Sequence, residues 1–230
     1  MSLPTDKEID LLLVEIKNNC AKNNINLGWL THSFYVANIA RAIATKVNLD
    51  TNLAYTGGLF HDVGRCLQSS NCEPNLFHEV YGYKFMMEHG YPELARFCLT
   101  HASINKEKIL NYYRTNKDKF KKSDVEFFIT TLSQMTFNEY DKIIQLSDNL
   151  AVKEGYVFLE QRIIDIIKRR GNAEYFIDYF DDIFNIKKYF ENKIGQSIYK
   201  LIPDFIDKSL SFDYSGRNKM YQRTISIRIF

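Results

Sequence analysis

Apolar residues recur at three- and four-residue intervals along nearly the whole chain, the spacing that gathers them on one side of an α-helix. Leu12, Leu13 and Ile16 begin one stripe after Pro4-Thr5, and Val36, Ile39, Ala40, Ile43 and Val47 carry another across residues 29–47. Asn48-Leu49-Asp50 breaks that second stripe, and the Asp50 carboxylate suits the N-cap of a helix over Thr51–Phe60. Gly64 is expected to end this stretch, and a loop rich in Ser, Asn and Pro follows over 67–75, a composition that suits a lid. Further helices fit 75–89, 92–101, 105–115, 122–135, 138–152, 156–170 and 173–196. With only 4 Pro and 10 Gly to interrupt them, these segments predict an all-α bundle. Residues 1–200 are expected to form one domain. Residues 201–230 form a tail, whose period-two alternation over 224–230 suits a short strand or an extended clasp.

Composition narrows the function classes. Lys+Arg 30 against Asp+Glu 28 leaves a net charge of +2, too balanced to announce a nucleic-acid or membrane-surface binder. The basic clusters at 117–122 and 168–170 are short and read as solvated helix faces. No apolar run approaches the ~18–20 residues of a membrane span, and the polar N-terminus does not resemble a signal peptide. Cys20, Cys66, Cys72 and Cys98 make no CxxC pair, so they read as reduced thiols of a cytoplasmic protein. The aromatic, amphipathic segments 157–170 and 175–190 carry no polar constellation. They read as scaffold, or as a face joining copies of the chain into a homo-oligomer.

The chemistry lies in the histidines and two acids. His61-Asp62 alone is weak evidence, because such a dipeptide arises readily by chance. The other positions strengthen it. His32 stands four residues before Val36 on the apolar stripe, and His101 follows Phe97 and Cys98 at helical spacing. Asp148 follows Ile144, and His78 opens a helix in which Gly82 would let another element approach closely. Ionisable groups on core-facing stripes of several helices are costly unless paired or metal-bound. Imidazoles with carboxylates suit Zn, Fe, Mn or a related divalent ion, and bundles build such sites from facing helices. His61 and Asp62 point about 100° apart on a helix, so they serve one ion only near a helix end. Gly57 and Gly58 before them allow close approach. His89, just before Gly90, reads instead as a helix-end imidazole satisfying the dipole.

The ordered pattern His32, His61-Asp62, His78, His101, Asp148 resembles the HD superfamily of metal-dependent phosphohydrolases. Gly57-Gly58-Leu59-Phe60-His61-Asp62-Val63-Gly64-Arg65 is similar to the family's signature segment. Phe77-His78-Glu79 and Leu99-Thr100-His101 resemble its two additional histidine segments, and Asp141 to Asp148 its closing one. The resemblance covers roughly residues 28–153 and implies an HD-type helical bundle. It implies one or two divalent ions per chain (Fe, Mn, Zn or similar, or Mg). His32, His61, Asp62 and Asp148 would hold the first, and His78 and His101 the second, with Asp62 bridging. His61 and Asp62 are thereby the implied catalytic residues. Arg65 is the expected phosphate contact, since a guanidinium binds phosphate in a bidentate manner. Glu79 is a candidate partner for a ligating histidine. Gly90-Tyr91-Pro92 echoes the motif of a cyclic-dinucleotide branch but lacks its surroundings. The expected activity is hydrolysis of a phosphate ester or anhydride of a small phosphorylated metabolite or nucleotide, with a non-catalytic nucleotide-binding regulatory module as the alternative.

Overall fold

The computed structural model describes residues 3–68, 78–170 and 174–214. Helices α1 (Asp6–Lys22), α2 (Gly28–Lys46) and α3 (Thr51–Phe60) are followed by a 3₁₀ turn, Val63–Leu67. Then come α4 (His78–Glu88), α5 (Pro92–Thr100), α6 (Lys106–Thr115), α7 (Lys122–Gln134) and α8 (Glu139–Asn149). A minimal hairpin, β1 (Ala151–Val152) and β2 (Gly155–Tyr156), leads into α9 (Leu159–Arg170), α10 (Glu174–Ile194) and α11 (Phe205–Leu210). The fold is all-α, as the apolar spacing predicts.

Local chemistry explains the starts. Thr5 and Glu8 form a reciprocal capping box at α1. The Asp50 carboxylate accepts from the backbone N–H of Asn52 and Leu53 at 2.8 and 3.1 Å, as its N-cap position requires. Pro92 occupies the first turn of α5, where its missing N–H costs nothing.

Two expectations are corrected. The helix expected over 138–152 stops at Asn149, because Ala151 and Val152 pair antiparallel with Tyr156 and Gly155. Val157 N–H then donates to Leu150 O at 3.0 Å, extending the pairing back towards the end of α8. Gly64 does not stop a helix: α3 has already ended at Phe60, and among the described glycines only Gly90, Gly155 and Gly195 take positive φ. Its role is close approach, since a Cβ there would lie 1.9 Å from His78 O and 2.4 Å from Gly82 N. Helix α11 buries Phe205, which stacks on Tyr156 at 5.2 Å, and so clasps the hairpin. Residues 69–77, which include most of the expected lid loop, and the alternating stretch 224–230 lie outside the described residues.

Helices α2, α3, α5 and α8 pack on one another around a core that contains the predicted α2 stripe, with Val36, Ile39, Ala40 and Ile43 all buried. Ile183 and Phe190 of α10 join it. A second, smaller core forms where Val80 and Leu99 meet Leu110, Val125, Phe128 and Leu132 of α6 and α7. Glycines set the closest spacings. A Cβ on Gly58 would sit 2.8 Å from Ala37 Cα, so α3 lies almost backbone-to-backbone on α2.

Gly64→Ala forces the 3₁₀ turn off α4, and a clash with backbone atoms has no side chain that can yield. The substitution is expected to cost more than about 2 kcal/mol in urea unfolding. Leu11→Ala, at a position 61% exposed, should stay within about 0.5 kcal/mol of wild type. Equal stabilities for the two variants would contradict this packing.

Candidate metal centre

Five helices deliver the site, four of them at their ends. His32 lies early in α2, His61-Asp62 directly follow α3, His78 begins α4, His101 directly follows α5, and Asp148 is the penultimate residue of α8. A helix end resolves the difficulty of the adjacent pair: beyond the last turn of α3 the backbone at Asp62 (φ −104°, ψ 11°) leaves helical geometry, and both side chains reach one cavity. All six predicted ligands converge. His32 Nε2 is 2.8 Å from Asp148 Oδ1. His61 Nε2 is 3.6 Å from the same oxygen and 3.7 Å from Asp62 Oδ2. His78 Nε2 is 2.9 Å and His101 Nε2 3.5 Å from Asp62 Oδ1. Two groups of candidate ligand atoms result, each within 4.8 Å: His32, His61 and Asp62, and Asp62, His78 and His101. Asp62 belongs to both.

Backbone carbonyls fix two of the rings. Nδ1–H of His61 donates to Gly58 O at 2.7 Å, and Nδ1–H of His101 to Cys98 O at 3.0 Å and Phe97 O at 3.1 Å. A carbonyl only accepts, so the proton sits on Nδ1 and the Nε2 lone pair points inward, as a metal ligand requires. His78 Nδ1 lies 3.3 Å from Glu79 Oε2. Arg65 Nε donates to Asp62 Oδ2 at 2.6 Å, and its Nη2 is 3.3 Å from His78 Nε2.

The HD domain family model matches residues 29–153, more than half of the chain. The chain belongs to the HD domain family. That family includes metal-dependent phosphohydrolases. No curated protein and no solved structure matches the chain significantly.

The donor set of this HD centre fits a divalent ion. Among the described residues, His61 Nε2 and Asp62 Oδ1 are buried polar atoms with no hydrogen-bond partner. Asp62 Oδ1 lies 2.9 Å from His78 Nε2 and 3.5 Å from His101 Nε2, so the three atoms converge as ligands of one ion would. Imidazole-rich coordination favours Mn, Fe or Zn over Mg, which prefers oxygen ligands and water.

The electrostatics keep the ligands ready. Burial alone would raise the Asp62 carboxyl. Arg65, His61 and His78 outweigh it and hold the group well below the usual range. Burial likewise opposes ionisation of Asp148, but the hydrogen bond from His32 and the nearby His61 ring prevail and hold the group well below the usual range. Burial, opposed by Asp148, pushes His32 down, so its Nε2–H is the donor to Asp148. Coordination through that nitrogen would move the proton to Nδ1, a change of tautomer with no net release from the neutral ring. Burial also opposes the charge on His61, but Asp62 and Asp148 bring it up. Burial and then the neighbouring His61 hold His101 down to about 4.

Sequence reading missed the buttress behind the site. Arg96 of α5 grips the buried Asp141 of α8 through Nε at 3.2 Å and Nη2 at 2.5 Å. Thr100 Oγ1 donates to Asp141 Oδ1 at 2.8 Å, and Gln145 Nε2 donates to Thr100 O at 2.9 Å. These bonds lock the helix that presents His101 to the helix that presents Asp148. The available signal was spacing, since Asp141, Gln145 and Asp148 share one face of α8. His89 stays outside the centre: Nδ1–H donates to Phe85 O at 2.8 Å, and Nε2 lies 3.0 Å from Glu15 Oε2. Gly90-Tyr91-Pro92 is the junction of α4 and α5.

The low His101 value has a sign that can be tested. Between about 4 and the ordinary 6.5, the unfolded chain binds a proton that folded His101 refuses. Its contribution to stability is therefore intact above about pH 6.5 and lost as pH falls towards 4. In metal-free protein, wild type should lose roughly 2–3 kcal/mol more than His101→Gln across that window in urea titrations. Identical pH dependence in the two proteins would contradict the burial of a neutral imidazole.

Proposed function

We propose that this HD protein is a metal-dependent phosphohydrolase that cleaves a phosphate ester or anhydride of a small phosphorylated metabolite or nucleotide. The observation that supports it most is the convergence of four imidazole Nε2 atoms on two ionised carboxylates, with His61 Nε2 and Asp62 Oδ1 left unpartnered.

His32, His61, Asp62 and Asp148 would hold one divalent ion. His78 and His101 would hold a second, with Asp62 common to both. A bound divalent ion supplies Lewis acidity, which makes hydroxide available from water near neutral pH and neutralises charge on phosphoryl oxygens. The residues do the rest. His61 and Asp62 are the catalytic pair in this reading, because they would hold the ion that makes hydroxide available. The carbonyls of Gly58, Phe97 and Cys98 keep His61 and His101 in the ligating tautomer. Arg65 stays tethered to Asp62 through Nε, and its side chain is about a third exposed (35%), which leaves outer donors for a phosphate oxygen. Fold and metal do not choose among monoesters, diesters and anhydrides.

The test pairs metal content with turnover. Wild type loaded with Mn should hydrolyse a simple phosphodiester or phosphomonoester, and EDTA should abolish this. Asp62→Ala should lose at least about 100-fold in kcat. Elemental analysis should find about two ions per chain, falling towards one in His78→Ala. One ion unaffected by that substitution would remove the second ligand set. A wild type that binds nucleotide and metal but turns over no phosphate ester or anhydride would overturn the enzyme reading in favour of a regulatory module.

A further inference from the structure

Asp148 sits in the last turn of α8, where a helix has the fewest hydrogen bonds of its own to hold it. Asn149, the final residue of that helix, is 2% exposed. Adjacent helical residues point about 100° apart, so Asp148 turns towards His32 and Asn149 turns away towards α10. The Asn149 amide is used at both ends. Nδ2 donates to Gln145 O at 2.9 Å, one turn back along α8, and Oδ1 accepts from the Tyr179 hydroxyl at 3.0 Å.

Tyr179 stands on α10, beyond the residues 29–153 that match the HD family. It reaches the neighbours of two ligands. Besides its bond to Asn149, it lines a small hollow together with Ala102, the residue after His101. The same stretch of α10 pins the chain that follows His101. Asn105 Nδ2 donates to Asp182 Oδ2 at 3.2 Å, and Lys108 Nζ pairs with Asp178 Oδ2 at 2.6 Å. On the far side of Asn149 the bonding continues through Gln145, whose Nε2 donates to Thr100 O at 2.9 Å, directly before His101. Apolar packing does not account for the hydroxyl. Ile183 and Phe190 already bury α10 in the core, and a phenyl ring at 179 would fill the same space. The oxygen is needed by Asn149: without its donor, a buried amide oxygen is left unpaired, and the last turn of α8 must shift to satisfy it.

We propose that Tyr179 is a positioning residue of the metal centre. Acting through Asn149, it holds the last turn of α8 so that Asp148 Oδ1 stays where His32 Nε2 and His61 Nε2 approach it. The proposal rests on the metal-binding part of the reading above and not on turnover.

Protein stripped with EDTA is titrated with Co(II), whose visible absorption reports both occupancy and the arrangement of its ligands. Tyr179→Phe keeps the ring and removes only the hydroxyl. It should bind cobalt about tenfold more weakly, the lower end of what partners behind the ligands contribute, and its saturated spectrum should differ from that of wild type. Asn149→Ala removes the other half of the bond, so the double variant should lose no more affinity than Asn149→Ala alone. Lys193→Met is the control. It breaks the tie between α10 and Glu139 at the opposite end of α8, and it should leave the spectrum unchanged and the affinity within about twofold. A folded Tyr179→Phe with wild-type affinity and spectrum would overturn the assignment. Additive losses in the double variant, or an equal loss in Lys193→Met, would overturn it as well. A wild type that binds no cobalt would remove the metal centre and the role of Tyr179 with it. If the variants behave as expected but wild type hydrolyses nothing, the positioning role stands and the catalytic reading fails.

Discussion

Two carboxylates, Asp62 and Asp148, lie inside a helical bundle where hydration is largely lost, and everything around them compensates. Burying one such charge costs several kcal/mol even after relaxation. Neither acid escapes by protonation: histidines and Arg65 hold both ionised. The compensation is nevertheless incomplete, because Asp62 Oδ1 and His61 Nε2 keep unused capacity. A cluster that is charged, buried and unsatisfied is a poor way to stabilise a fold and a good way to receive a cation.

The packing serves that cluster. Glycines draw the helices together where the ligands emerge: Gly58 sets α3 on α2, and Gly64 with Gly82 sets the turn after Asp62 against α4. The Arg96–Asp141–Thr100–Gln145 network ties α5 to α8. Ligands on helix ends can point off the helical repeat, which is how adjacent His61 and Asp62 share one cavity. Helices hold their carbonyls in place, and those carbonyls hold the imidazoles.

Much of this was legible because helices announce themselves. The stripe from Val36 to Ile43, the Asp50 cap and the ordered histidines are local features, and each survives in the structure. The gathering of His78 and His101 onto Asp62 is a tertiary fact, supported in the sequence only by family resemblance. What spacing could not supply came from pairing across the chain. The end of α8 is decided by Tyr156 and Gly155, not by residues 138–152 alone. Gly64 looked like a helix stop because a glycine's close neighbours are invisible in one dimension.

The most direct test is thermal unfolding of the chelated protein against the same protein reconstituted with Mn, Fe or Zn. An ion that binds only the folded state adds stability in proportion to RT ln(1 + [L]/Kd), about 2.7 kcal/mol at a hundredfold excess over Kd. Wild type should therefore melt several degrees higher with metal, and Asp62→Asn should gain little. Equal melting temperatures for wild type with and without metal, at concentrations that saturate ordinary histidine-carboxylate sites, would contradict the claim that this buried cluster is built for a cation.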